Sequence, residues 1–281
     1  MRVIRDIPTL RALPVASPRV LVPTMGALHE GHLQLVDLAR RHAGPDGEVV
    51  ATVFVNPTQF APHEDFDRYP RPFEADMALL ESRGCDAVFA PGREAMYAPD
   101  ASVKIIETAI GAGLEGASRP QFFSGVCTVV AKLFNLVRPD IAIFGEKDYQ
   151  QLAVIRRLVR DLDFPIEIVA APTVREPDGL AMSSRNAYLS PEERRQSVVI
   201  SAALSEARLS MEQGCIGVAT LLDRVRERIA SGPLARIDYV AGVHPDTLEP
   251  VDTVGLDGLL IAVAVWFGKT RLIDNVCWRR R

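Results

Sequence analysis

The sequence predicts an α/β protein: a Rossmann-like parallel-sheet domain followed by a smaller α/β domain. Three observations carry this reading. Through the first two thirds of the chain, short β-branched runs alternate with segments whose apolar residues fall at helical spacing. Val49 to Val55 is apolar nearly throughout, as in a strand covered on both faces. Polar and charged residues cluster where such runs end, and open parallel sheets bind ligands outside the carboxyl ends of their strands.

The bulk numbers narrow the function classes. The 281 residues, 48% hydrophobic and 24% charged, suffice for one large or two modest domains. A formal net charge of −4 argues against a general nucleic-acid binder, which needs a basic face. No apolar run is long enough to span a bilayer, and the longest, Gly258 to Phe267, suits a buried strand. No membrane partner is expected. The amino terminus lacks the charged-then-apolar pattern of a signal peptide. Cys85, Cys127, Cys215 and Cys277 show neither paired nor ligand-like spacing, so reduced thiols in a cytoplasm are expected.

Taken in order, Arg19 to Val22 reads as a short buried strand and His32 to His42 as a helix with Leu35, Leu38 and Ala39 on its apolar side. The strand at 49–55 stops at Asn56-Pro57-Thr58-Gln59-Phe60. There Asn56 and Gln59 can offer amides to a small polar substrate, or simply form an Asn-Pro turn. The polar, proline-studded stretch from His63 to Pro72, which holds Tyr69, fits a mobile lid or a static surface loop equally. Glu74 to Arg83 reads as a helix closed by Gly84, and Asp86 to Pro91 as a strand. Residues 103–118 are looser, and Cys127 to Val137 is a strong helix. Ile141 to Phe144 is a further strand, broken by Gly145-Glu146-Lys147-Asp148-Tyr149-Gln150-Gln151, with a helix from Leu152 to Leu162. Lys147 suits phosphate as a point charge. Asp148 suits ribose hydroxyls or a water-held metal, and a solvated Lys-Asp pair is the competing explanation.

Glu167 to Ala170 ends the series and leads into a loop that finishes Met182-Ser183-Ser184-Arg185-Asn186. Two hydroxyls and a guanidinium there suit triphosphate oxygens, while a helix cap would also explain one serine. Composition changes across 173–189, which divides the chain into 1–174 and 175–281. Helices at about 191–213 and 217–231 and strands at 237–243, 259–266 and 270–274 make up the second part.

The organising stretch is Pro23-Thr24-Met25-Gly26-Ala27-Leu28-His29-Glu30-Gly31-His32, on a strand-to-helix turn. Gly26 and Gly31 allow close approach of backbone to a ligand, and the helix start favours an anion. Two imidazoles there can donate to phosphate oxygens as charge develops. A helix cap is the ordinary use of a histidine at such a position.

His29-Glu30-Gly31-His32 resembles the His-x-Gly-His signature of the nucleotidyltransferase superfamily. Four separated motifs narrow the resemblance to the pantothenate synthetase (pantoate–β-alanine ligase) family. They are residues 23–32, Phe-Val-Asn-Pro-Thr-Gln-Phe (54–60), Gly-Glu-Lys-Asp-Tyr-Gln-Gln (145–151) and Asp-Gly-Leu-Ala-Met-Ser-Ser-Arg-Asn (178–186). Arg-Pro-x-x-Phe-x-Gly-Val (119–126) and Glu-Asp-Phe-Asp-Arg-Tyr-Pro-Arg (64–71) add to it.

The resemblance implies a two-step ligation of pantoate and β-alanine, driven by ATP with Mg²⁺ and passing through an acyl adenylate. It implies catalytic roles for His29, His32 and Lys147. ATP would be held by Met25, Gly31, His32, Gly145, Lys147, Asp148, Val174, Met182, Ser183, Ser184 and Arg185. Pantoate would be held by Asn56, Gln59 and Gln151, with Tyr69 in the lid-like stretch. A homodimer is implied as well. Phe122 stands where the family is expected to carry His. Ala181, before Met182, replaces the lysine of the related aminoacyl-tRNA synthetases and argues against that activity.

Overall fold

The computed structural model describes residues 1–14, 17–61, 64 and 66–279. The chain divides into two compact units: Met1–Glu146 with Gln150–Pro172, and Lys147–Tyr149 with Thr173–Arg281. The step of residues 147–149 into the second unit has no counterpart in the sequence pattern.

The first unit opens with β1 (Arg2–Ile4) and α1 (Ile7–Arg11), both too short for periodicity to reveal. Asp6 caps α1 by accepting from the Thr9 N–H at 2.8 Å, so Asp-x-Pro-Thr was the available signal. There follow β2 (Arg19–Thr24), α2 (Glu30–Ala43), β3 (Glu48–Val53), α3 (Phe73–Ser82) and β4 (Ala87–Phe89). Two short helices, α4 (Arg93–Met96) and α5 (Glu115–Ser118), precede α6 (Phe122–Val137), which begins before the expected Cys127. β5 (Ile141–Gly145), α7 (Tyr149–Asp161) and β6 (Glu167–Ala171) complete the series.

The six strands form one sheet in the order β1-β4-β3-β2-β5-β6, every described pairing parallel. Successive side chains of a strand point to opposite faces. Val20 and Val22 therefore enter one core with Val36 and Ala39 of α2 and Leu80 of α3. Leu21, fully buried, points to the other face, and α6 packs along β2. The run from β2 through β3 to β4 proceeds one way across the sheet, and β5 and β6 lie on the other side of β2. The β2/β5 boundary is thus the switch point, where doubly wound sheets open a crevice beyond the strand ends.

At the opposite end of β2, Arg19 is 1% exposed. Its Nε donates to Glu48 Oε2 at 2.7 Å, its Nη1 to the Val137 carbonyl at 2.9 Å, and its backbone N–H to Asp140 Oδ2 at 2.7 Å. One residue thereby ties β2 and β3 to the end of α6 and the start of β5.

The second unit holds α8 (Pro191–Ser197), α9 (Val199–Glu212), α10 (Val218–Ala230) and an antiparallel sheet β7-β8-β9 (Ala235–Val243, Leu259–Phe267, Thr270–Trp278). The helix expected over 191–213 is interrupted at Val198, which closes α8 and opens α9. Ser190 and Glu193 form the capping box that starts α8. β9 runs four residues beyond the expected Asp274. Leu204, Leu221, Val225, Ile261, Val263 and Val265 form this unit's core. Among the described residues, no helix is long and apolar enough to cross a membrane.

Candidate active site

β2 ends at Thr24, and the chain turns into α2 through two residues of positive φ, Gly26 (80°) and Ala27 (52°). Gly26 is required here, although not to admit a ligand as its sequence context implied. A Cβ at Gly26 would lie 2.9 Å from Asp76 Oδ2 and 3.1 Å from Val53 Cγ1, so the space belongs to Asp76 of α3. The N–H groups of Ala27 and Leu28 donate to the two Asp76 oxygens at 2.9 and 2.8 Å. Asp76 is 1% exposed, and burial pushes its carboxyl up against the opposing pull of those two bonds. Nothing in the sequence pattern marks it.

His29 is the N-cap of α2, and both readings of the paired histidines bear on the geometry. His29 Nδ1 accepts from the Gly31 N–H at 3.1 Å, and His32 Nδ1 accepts from the His29 N–H at 3.4 Å. The rings lie 4.1 Å apart, centroid to centroid. Each neutral ring accepts through Nδ1, which puts its proton on Nε2. Capping thus fixes the tautomer that presents an Nε2–H donor.

β3 leads to the turn Pro57–Gln59, where Asn56 is 1% exposed and saturated by protein groups. Its Nδ2 donates to Gln59 Oε1 and to the Gly125 carbonyl, each at 3.1 Å. Its Oδ1 accepts from Thr58 N–H, Thr58 Oγ1 and Tyr97 Oη at 3.3, 2.9 and 2.8 Å. Asn56 therefore orients Gln59 through its own hydrogen bonds to the protein. Gln59 Nε2 points at Met25 Sδ, 3.1 Å away, and has a second hydrogen. Gly125 of α6 permits this packing, because a Cβ there would come within 2.4 Å of the Thr58 carbonyl.

Arg119 donates to Glu64 and to the Gln59 carbonyl, and its guanidinium sits 3.9 Å over the Phe122 ring. The Phe122 ring is thus engaged as an apolar platform for that guanidinium. Tyr69 is buried, edge-on to Phe60 at 5.9 Å. His63 and Asp65 of the lid-like stretch lie outside the described residues.

β5 ends at Gly145, beside which a Cβ would meet nothing within 4 Å. Gln151 is half-buried on the first turn of α7, next to Gln150, whose amide is occupied by Glu115, Ile110 and Gly113 backbone.

In the second unit, Lys147 Nζ lies 3.7 Å from Asp148 Oδ1, and the Lys147 carbonyl accepts from Asn275 Nδ2 at 2.9 Å. Arg175 and the buried Asp274 form a two-pronged ion pair at 2.7 and 3.0 Å. This anchors a tight hairpin over 174–182 in which the Met182 N–H donates to the Val174 carbonyl at 3.0 Å. Ser183 Oγ accepts from the Arg185 N–H at 3.2 Å and so caps the short turn Ser184–Tyr188. Asn186 donates to Glu176 and to the Ala181 carbonyl, fastening the end of that loop.

The model of the pantoate-beta-alanine ligase family matches residues 2–277. The chain belongs to that family. It is 53% identical over 258 residues to the pantothenate synthetase of Thermoanaerobacter sp. (strain X514), covering 92% of this chain and 90% of that one. It is 55% identical over 259 residues to the pantothenate synthetase of Anaeromyxobacter dehalogenans (strain 2CP-C), covering 91% and 89%. The crystal structure of pantothenate synthetase from Thermus thermophilus superposes with a TM-score of 0.93 at 50% identity, covering 98% of this chain and 99% of that one. The pantoate-beta-alanine ligase from Francisella tularensis, complexed with beta-gamma ATP and beta-alanine, gives 0.80 at 31% identity, covering 99% and 97%.

The two caps at the start of α2 make a direct spectroscopic prediction for this family member. Long-range ¹H–¹⁵N spectra at a pH where the rings are neutral should show Nδ1 of His29 and His32 unprotonated and Nε2 protonated. A dominant Nδ1–H form in either ring would contradict the capping geometry.

Proposed function

We infer that this chain joins pantoate to β-alanine with cleavage of ATP, yielding pantothenate, AMP and pyrophosphate through a pantoyl adenylate. The observation that carries the reading is the capped His29–His32 pair beyond the carboxyl end of β2. The family match over residues 2–277 and the likeness to a ligase complexed with beta-gamma ATP and beta-alanine support it.

In the first step a pantoate carboxylate oxygen attacks the α-phosphorus, and the bond to the pyrophosphate oxygen breaks with its electron pair. Nε2–H of His29 and of His32 donate to the phosphate oxygens as charge builds on them. Lys147 shares that charge from an ammonium carried beyond β5. Ser183, Ser184 and Arg185 hold the phosphate tail, and Gly31 lies between the two histidines on the same turn. Gly145 and Asp148 meet the ribose. Because the Met182 N–H and Val174 carbonyl bond to each other, adenine is read by the remaining Val174 N–H and Met182 carbonyl.

Gln59 and Gln151 hydrogen-bond pantoate, with Met25 packed against Gln59 and Asn56 setting its orientation. Tyr69, packed on Phe60 beside Gln59, helps exclude water. In the second step the β-alanine amine attacks the acyl carbon of the anhydride and AMP leaves. No covalent enzyme intermediate is needed; positioning and charge stabilisation suffice. Residues 1–174 are the ATP- and pantoate-binding domain, and 175–281 the smaller domain that carries the Met-Ser-Ser-Arg-Asn loop at its start.

Mg²⁺ takes substrate phosphates, several waters and one or two carboxylates. The ion would arrive with ATP and neutralise phosphate charge. A cytoplasmic homodimer completes the reading. Sedimentation should return about twice the 30.8 kDa chain mass, and a single-chain mass would contradict the dimer.

Pantoate labelled with ¹⁸O in its carboxylate tests the chemistry. One labelled oxygen should appear in AMP for each pantothenate formed. Label-free AMP, with pantothenate still produced, would overturn the adenylate route.

A further inference from the structure

The turn between β2 and α2 is a run of three successive backbone N–H groups, all answered by side chains. Gly26 N–H donates to Thr24 Oγ1 at 3.2 Å, and those of Ala27 and Leu28 donate to Asp76 at 2.9 and 2.8 Å. The amides of Ala27 and Leu28 converge on one internal carboxylate, as successive amides elsewhere converge on phosphate. A φ of 52° at Ala27 carries strain that a bare turn would not hold, so something must over-determine the conformation. The two bonds from Asp76 are the fixed contacts that do so.

We propose that Asp76 is a positioning residue for the reaction: its carboxylate holds the β2–α2 turn in the shape that aims Met25, His29 and His32. The route is short. Leu28, whose N–H is held by Asp76 Oδ1, directly precedes the N-cap His29, and Gly26 directly follows Met25. Asp76 stands on α3, so the packing of that helix against the sheet carries the carboxylate to its place. Burial disfavours the charged form of Asp76, and the two amides oppose that effect.

A cavity of about 290 Å³ opens beside the turn, with Met25, Gly26 and Asp76 in its wall and Arg5, Arg71 and Arg93 around it. Asp76 forms part of that wall, so the space its carboxylate would leave is open to the cavity. A carboxylate removed by mutation can therefore be replaced from solution. That gives the assignment a readout which simple loss of packing would not show.

The assignment rests on His29 and His32 being the phosphate-binding pair, and the experiment separates the two. Pantoate-dependent adenylation is measured in the wild type, in Asp76→Ala and in the isosteric Asp76→Asn, with the histidine ¹⁵N spectra of each. Wild-type activity tests the reading of the pair; the variants test Asp76. Both variants should lose about a hundredfold in kcat, the size expected of an ångström-scale misplacement. Their His29 and His32 signals should depart from the single Nε2–H tautomer. Excess sodium formate, against sodium chloride at equal ionic strength, should restore activity at least severalfold in Asp76→Ala and leave the wild type unchanged. Wild-type kcat in Asp76→Asn, or a loss in folded Asp76→Ala that formate does not relieve, would overturn the proposal. If Asp76→Ala does not fold, the Asn variant decides through its kcat and its spectra.

Discussion

β2 has a parallel neighbour on each side and is the strand at which the order of the sheet turns, and the first unit follows from that placement. Such a strand must be apolar on both faces, which Val20, Leu21 and Val22 satisfy with no exposure at all. Its amino end is fixed by Arg19, whose buried pair with Glu48 is of the kind that costs about 3–5 kcal/mol to break from one side. Its carboxyl end is the place where polar groups can gather without interrupting the core. The two ends do different work. Arg19 ties strands and helices together, and beyond Thr24 the chain uses its hydrogen bonds to aim two imidazoles.

Aiming is what the chemistry requires. Transfer to a phosphorus centre needs donors in place before charge develops, and a donor that must reorient loses much of its value. Both imidazoles use Nδ1 to satisfy backbone N–H groups at a helix start, so under the proposed function one ring meets the capping requirement and the catalytic one together. Asn56 does the same for Gln59 from the next strand, with five bonds that leave it no capacity of its own. In the second unit the Arg175–Asp274 pair and Asn186 hold the hairpin and the serine turn.

Much of this was legible in the chain. The long strands and helices announced themselves by periodicity, and the two histidines by their spacing across a strand-to-helix turn. What escaped is either too short or too distant. β1 has three residues and α1 five, below the reach of any periodic pattern. Asp76 meets its amides across 48 and 49 positions, and Asn56 meets Tyr97 and Gly125 across 41 and 69. Sequence spacing does not encode such contacts. For that reason the sequence shows neither that Asn56 holds the Gln59 amide nor that Asp76 fills the space beside Gly26.

The most direct measurement is ATP–pyrophosphate exchange by the purified chain with Mg²⁺, with and without pantoate and in the absence of β-alanine. The account predicts exchange only when pantoate is present, because a carboxylate must accept the adenylyl group before pyrophosphate can return. Binding of ATP without any exchange on adding pantoate, or exchange that proceeds equally without it, would contradict it.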